Sequence, residues 1–243
     1  MRGKLILNDK FLRQLESLNI ELDREQQEKF YQFYELLVEW NKVMNLTGIT
    51  DYDEVYEKHF VDSLAIAKVI DLSKVNRIID IGTGAGFPGI PLKIAFPHLE
   101  VVLLDSLQKR IHFLDEVACK LGLQKVITLH GRAEDYARGS EYRESFDLCV
   151  SRAVANLAVL SEYCVPYVSV GGYFISYKSG NADEEIKQAE TSIRVLGGRM
   201  EEVVKFKLPL SEIERSFVKI HKESCTKNKY PRKAGVPGKN PIV

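Results

Sequence analysis

Ile78-Ile79-Asp80-Ile81-Gly82-Thr83-Gly84-Ala85-Gly86-Phe87-Pro88-Gly89 decides how the rest of the chain is read. A β-branched apolar run bounded by glycine reads as a buried parallel strand leaving a sheet. Gly82, Gly84 and Gly86 fall at alternate positions, where the missing Cβ permits a tight turn and close approach to a ligand. Pro88 suits the first turn of a following helix, because its fixed φ fits there and its absent N–H is not needed. Strand, glycine turn and helix together make a cofactor cradle.

Outward from this stretch, apolar strands alternate with helix-length segments. Residues 78–81, 101–105, 126–130, 146–150 and 173–177 read as strands, separated by helical stretches at 91–96, 109–121 and 156–167. Gly122 stands where a helix C-terminus wants a left-handed residue. Such spacing predicts a parallel, doubly wound α/β sheet. After a helix at 183–196, residues 203–208 and 216–222 form two further strands joined by a short loop. That loop is too short for a parallel crossover, so the last two strands are expected to form an antiparallel hairpin. Seven strands result, five parallel plus the hairpin, in a Rossmann-like sheet.

Upstream, the pattern from Asp9 to about Ile70 has helical period only. Asp23 is a plausible N-cap for a helix carrying Phe30, Phe33, Tyr34, Leu37 and Trp40 at three- and four-residue steps. Asn45-Leu46-Thr47-Gly48 ends it with turn residues, and a third helix follows. Residues 1–72 are therefore expected to form a helical cap, and 73–243 the ligand-binding domain with its terminal tail.

With 243 residues, 45% hydrophobic and 28% charged, the chain can bury a proper core. Net charge is zero, yet residues 215–243 carry eight Lys/Arg against one Glu. A basic tail on a neutral protein points to a polyanion. The cysteines at 119, 149, 164 and 225 have neither metal-ligand nor disulfide-framework spacing, so no metal site and a reducing compartment are expected. The N-terminus begins like a signal peptide but loses its apolar run at Asn8-Asp9-Lys10, and no stretch is long enough to span a bilayer. The expected address is the cytoplasm.

Open α/β sheets bind ligands at the carboxyl ends of their strands. Gly84-x-Gly86-x-x-Gly89 matches a dinucleotide fingerprint, but the first glycine after the strand is Gly82, and Asp80 precedes it. A carboxylate there disfavours a pyrophosphate and suits a ligand with a cationic near end, such as S-adenosylmethionine. Asp105 closes the second strand, placed to accept hydrogen bonds from ribose hydroxyls. Ala133 backbone or the Glu134 side chain, after the third strand, is placed for an adenine amino group, although Glu134 at a helix start also simply complements the dipole. Arg152, after the fourth strand, can fork onto a carboxylate or phosphate, or else pair with Asp147 or Asp105.

These residues carry a family resemblance. Arg77 through Leu92, Asn45-Leu46-Thr47, His59-x-x-Asp62-Ser63-Leu64, Arg132-Ala133-Glu134, Ser151-Arg152-Ala153 and Lys229-Tyr230-Pro231-Arg232-Lys233-Ala234-Gly235 resemble the motifs of the bacterial rRNA small subunit methyltransferase G family, also called glucose-inhibited division protein B. The resemblance runs over essentially the whole chain. It implies a class I methyltransferase fold and transfer of a methyl group from S-adenosylmethionine to N7 of one guanine in 16S rRNA of the small ribosomal subunit. It also implies cofactor contacts from Gly82, Phe87, Ala133, Glu134 and Arg152. Asp80, Gly84 and Asp105 join them from the strand-end argument.

Guanine N7 needs no deprotonation, so no general base and no catalytic side chain in that sense is expected. His59 and Asp62, three apart on one helix face, stay outside the catalytic set. Lys227, Lys229, Arg232 and Lys233, with Tyr230 among them, are expected to bind RNA, the glycines and prolines beyond keeping the tail extended. The alternative for this tail is a solvated, poorly ordered terminus. A monomer is expected. Rival readings are a nicotinamide-dependent oxidoreductase and a non-catalytic RNA-binding protein of the same fold.

Overall fold

The computed structural model describes residues 9–139, 141–152, 154–180 and 182–243. The N-terminal stretch read against a signal peptide, residues 1–8, and Ala153 lie outside the described residues. Two helices open the description, α1 (Asp9–Glu16) and α2 (Arg24–Met44). Asp23 caps α2 through a reciprocal box with Gln26, and Asn45 ends it in the left-handed conformation. The third expected helix is less regular. It runs as α3 (Tyr52–Val55), a π-helical turn (Tyr56–Val61), α4 (Asp62–Leu64) and a 3-10 turn (Ala65–Lys68).

Seven strands follow: β1 (Arg77–Ile81), β2 (Glu100–Asp105), β3 (Val126–His130), β4 (Phe146–Arg152), β5 (Val168–Ser179), β6 (Gly198–Lys207) and β7 (Glu214–Lys222). They form one sheet in the order β3-β2-β1-β4-β5-β7-β6. β1 to β5 pair in parallel, whereas β7 lies antiparallel to both β5 and β6. The expected five-plus-hairpin sheet is therefore observed, with β5 and β6 each starting five residues earlier than their apolar runs suggest. Alternation along the strands builds two cores. Ile78, Val101 and Leu103 face the N-terminal helices with α5 (Gly89–Ala95) and α6 (Gln108–Lys120). Ile79, Val102 and Leu104 face α8 (Leu157–Cys164) and α9 (Asp183–Val195). The remaining helices among the described residues are two short α-helices, α7 (Ala133–Tyr136) and α10 (Val236–Lys239), and 3-10 turns at Leu72–Lys74 and Val165–Tyr167.

The N-terminal helices share the first core through a run of rings. Phe33 lies 5.3 Å from Phe87 and 6.4 Å from Phe113, and Trp40 lies 5.7 Å from Phe113. Each fully buried aromatic contributes about 2 to 3 kcal/mol of apolar burial, enough to fix the helices over α5 and α6. Strand order reverses between β1 and β4, so the sheet's binding crevice opens at their carboxyl ends.

Candidate active site

The glycine turn is braced from below. Asp80 is fully buried, and its Oδ2 accepts hydrogen bonds from Thr83 Oγ1 (2.7 Å) and the Gly89 N–H (2.9 Å). Gly82, Gly84 and Gly86 all have positive φ, as the alternate glycines require. Pro88 precedes α5 as its N-cap residue rather than standing inside the first turn. Burial pushes the Asp80 carboxyl up to about 6, against the lowering influence of those two hydrogen bonds and of Arg152. Its second oxygen, Oδ1, is buried and accepts nothing. An unpaired buried carboxylate oxygen is costly, and a cationic group is the partner that would satisfy it. The residues present thus fit S-adenosylmethionine, with its ammonium and sulfonium.

Asp105 is also almost fully buried, and both its oxygens are engaged. Oδ2 accepts from the Gly84 N–H (2.9 Å) and Arg110 Nη1 (3.1 Å), and Oδ1 from the Leu107 N–H (2.9 Å). It ties the glycine turn to the end of β2, so a ribose there would share its carboxylate with these donors.

A cavity of about 390 Å³ opens beside the turn. Gly82, Leu104, Ser106, Gly131, Ala133, Glu134, Val154, Asn156 and Tyr163 line it, as does Gly238 from the far end of the chain. Of the expected cofactor residues, Gly82, Ala133 and Glu134 stand in this wall. Ala133 is fixed by Tyr167, whose hydroxyl donates to its carbonyl at 2.6 Å. Leu104 and Ser106 flank Asp105 at the end of β2, and Gly131 follows β3. Tyr163 was not singled out in the sequence, and Gly238 was read only as part of an extended tail.

A second cavity, about 640 Å³, lies across the loop after β4 and is lined by Lys58, His59, Asp62, Arg152, Tyr177, Lys178 and Arg215 among others. Ala155 and Asn156 line both cavities, so the two adjoin. Arg152 organises the second. Its Nη1 donates to Asp62 Oδ2 at 2.8 Å and to the Lys58 carbonyl at 3.3 Å, while Arg215 Nε donates to Asp62 Oδ1 at 2.8 Å. Arg152 thus pairs with neither Asp147 nor Asp105. Asp147 instead accepts the N–H groups of Asn76 and Arg77. Phe87, expected at the cofactor, is buried below this network. His59 stacks on its ring at 4.6 Å and the Arg152 guanidinium lies 5.1 Å from its centre.

His59 and Asp62, set aside on sequence grounds, therefore meet Arg152 here. Arg152 Nη2 lies 3.4 Å from His59 Nδ1, and Thr47 Oγ1 is 2.8 Å from Nε2. The Lys58 carbonyl stands closer to Nδ1, at 3.2 Å, and accepts from it in the Nδ1–H tautomer, in which the Thr47 hydroxyl donates to Nε2. Burial first, and then the Arg152 charge, lowers the imidazole from 6.5 to about 3. A depressed pKa of this kind gives stability that is present above the unfolded value and lost as pH falls towards the folded one. His59→Asn is expected to flatten the acid limb of the stability profile by up to one proton, about 1.4 kcal/mol per pH unit. Urea denaturation at about pH 7, 6 and 5 reads this directly; an unchanged slope rejects it.

The basic tail divides. Lys227, Lys229 and Lys233 are exposed, and Lys229 lies 5.1 Å from the centre of the Tyr230 ring. Arg232 is paired within the protein. Its Nε and Nη2 engage both oxygens of Glu162, at 2.9 and 2.6 Å, and Glu162 is 1% exposed. An arginine held in this way has its fork occupied by a carboxylate. The tail is not extended: Gly235 is left-handed and α10 follows it. Lys222, read from sequence as part of the basic tail, is buried and donates to the Val165 carbonyl at 3.0 Å.

Among the described residues no cluster of His, Cys, Asp and Glu has the arrangement of a metal site, and no helix is long and apolar enough to cross a membrane.

The family described as rRNA small subunit methyltransferase G matches residues 26–217. The chain is 51% identical over 236 residues to the ribosomal RNA small subunit methyltransferase G of Lachnoclostridium phytofermentans, covering 97% of this chain and 98% of that protein. It is 48% identical to the protein of the same name from Bacillus licheniformis, covering 96% and 98%. Among solved structures, a SAM dependent methyltransferase from Aquifex aeolicus aligns with a TM-score of 0.51 at 18% identity, over 70% of this chain and 93% of that one. A candidate O-methyltransferase from Klebsiella pneumoniae aligns with a TM-score of 0.55 at 14% identity, over 88% and 96%. At these identities the two structures show the fold.

Proposed function

The chain belongs to the rRNA small subunit methyltransferase G family, and from that premise we propose that it methylates N7 of a guanine in 16S rRNA of the small ribosomal subunit, using S-adenosylmethionine. The observation that carries the reading is the pair of adjoining cavities sharing Ala155 and Asn156, one beside the glycine turn and one rich in cations. S-adenosylmethionine supplies, when bound, an activated methyl on a sulfonium. Asp80, Gly82, Gly84, Asp105, Ala133 and Glu134 would hold it, with Asp80 Oδ1 as the free acceptor for positive charge. Arg152 and Phe87 support the site from the acceptor side, through His59 and Asp62.

Guanine N7 presents an in-plane lone pair that is unprotonated at neutral pH, so no side chain has to remove a proton. What the protein must do is place the base in line and exclude water. A neutral His59 and an Asp62 already bound by two arginines suit that role, since neither is poised as a base and both hold the wall rigid. Lys227, Lys229 and Lys233, with Tyr230, supply phosphate contact and a stacking face. The enzyme is proposed to act as a cytoplasmic monomer.

Radiolabelled methyl transfer to small ribosomal subunits, with mapping of the modified base, tests the reaction. Label in 16S rRNA at a guanine cleavable as 7-methylguanine supports it. A thermal shift with NADH but none with S-adenosylhomocysteine would return the nicotinamide reading, and cofactor binding without transfer would return the non-catalytic one. Replacing Lys227, Lys229 and Lys233 by Ala is expected to reduce the slope of log affinity against log salt by about 2. Filter binding across a salt series measures it, and an unchanged slope removes these lysines from the interface.

A further inference from the structure

Four side chains, from α7, α8 and the segment between α7 and β4, grip the C-terminal segment. Glu162, nearly inaccessible on α8, accepts the Arg232 backbone N–H at 2.7 Å besides the two guanidinium bonds. Glu134, on α7, accepts the Gly235 N–H at 2.8 Å through Oε1. Arg138 and Arg143 donate to the Pro231 and Tyr230 carbonyls at 3.0 and 2.8 Å. The segment is thereby delivered to the cofactor cavity, where Gly238 stands in the wall with Glu134 and Tyr163.

We propose that the C-terminal segment is a structural wall of the cofactor cavity, and that the Glu162–Arg232 pair is the positioning clamp that sets affinity for the nucleoside end of the cofactor. The inference rests on the S-adenosylmethionine reading above. Two connections carry it. Glu162 and Tyr163 are consecutive on α8, so the clamp and a cavity-lining ring move together. Glu134, which the strand-end argument places at the adenine, has its carboxylate oriented by the tail, since Oε1 takes the Gly235 N–H. A tail detached at Arg232 would release both the wall and the orientation of Glu134. Its lysines at 227, 229 and 233 face outward on the same segment, which puts RNA contact and cofactor contact on one piece of chain.

Calorimetric titration of the full chain with S-adenosylhomocysteine tests this. Arg232→Ala is expected to raise Kd about ten-fold or more, and Arg232→Lys, which keeps the charge but not the fork, to fall between. In turnover, KM for S-adenosylmethionine should rise with kcat little changed, a split that general loosening of the fold does not produce, while the ligand-free melting temperature falls because Glu162 loses its partner. Gly238→Phe guards against a clamp variant that fails to fold. Position 238 is exposed, and a Cβ there meets only the Tyr163 hydroxyl at 3.6 Å, so the ring enters the cavity without disturbing the clamp. It should weaken S-adenosylhomocysteine by a similar factor. Unchanged Kd in Gly238→Phe, or in a folded Arg232→Ala, overturns the wall. Failure of the unaltered protein to bind S-adenosylhomocysteine overturns the cofactor reading itself, and the wall with it.

Discussion

Asp62→Ala is expected to destabilise the protein by about 3 kcal/mol and to lower kcat/KM by more than about 100-fold. Asp62 is the single carboxylate between two guanidiniums, accepting from Arg152 on one oxygen and Arg215 on the other, each at 2.8 Å. Its side chain is 4% exposed, and those of the arginines 15% and 22%. Removing it leaves two like charges facing each other in a half-dry site. The usual penalty for breaking a buried pair is about 3 to 5 kcal/mol, and the residual access of water to both arginines places this case at the low end. Activity suffers separately, because both arginines line the larger cavity, where the acceptor base is proposed to sit, and Asp62 sets their positions. Arg152→Ala alone should cost less stability, since Asp62 keeps Arg215 as a partner. Urea denaturation of both single variants and the double variant completes the cycle. If Asp62→Ala proves no less stable than Arg152→Ala, the carboxylate does not hold the pair together.

That network also shows where sequence reading stopped. The five parallel strands, the terminal hairpin and the crevice at the strands' carboxyl ends were legible, because apolar runs and loop lengths are local properties that survive folding. Asp80, Gly82 and Asp105 were legible for the same reason, each standing at the end of an apolar run. The partner of Arg152 was not. Asp147 shares β4 with Arg152 and Asp105 stands at a matching strand end, but Asp147 is taken by the N–H groups of Asn76 and Arg77 and Asp105 by Gly84, Leu107 and Arg110, and the acceptor that remained is 90 residues upstream. Ion-pair choice between distant segments is decided by topology, which spacing does not encode. The π-helical turn at Tyr56–Val61, just before Asp62, was hidden too, since its apolar positions still recur at three- and four-residue steps. Composition misled at the tail. Lysine, glycine and proline read as an extended RNA-binding tail, whereas Glu134, Glu162, Arg138 and Arg143, all outside the segment, fold it back on the cavity.

Gly82→Val is expected to weaken S-adenosylhomocysteine by more than about 100-fold while leaving a folded protein. Two effects combine at this position. Gly82 has φ of 70°, which a β-branched residue adopts only under strain of about 1 to 3 kcal/mol. A Cβ there would also stand 2.5 Å from Val154 Cγ2, so the incoming side chain must displace Val154 or fill the cavity between them. Backbone pairing limits any escape, because the N–H groups of Gly82 and Thr83 both donate to the Leu104 carbonyl, at 2.8 and 3.1 Å. Gly84 separates strain from filling. Its φ is 62°, yet nothing lies within 4 Å of a Cβ built on it. Gly84→Ala should therefore carry the conformational cost, about 1 kcal/mol in denaturation, with a much smaller loss of affinity. Equal losses of affinity in the two variants would mean that the turn acts only through its backbone shape. A loss confined to Gly82→Val means that the cofactor lies against Gly82 itself, on the side that Val154 covers.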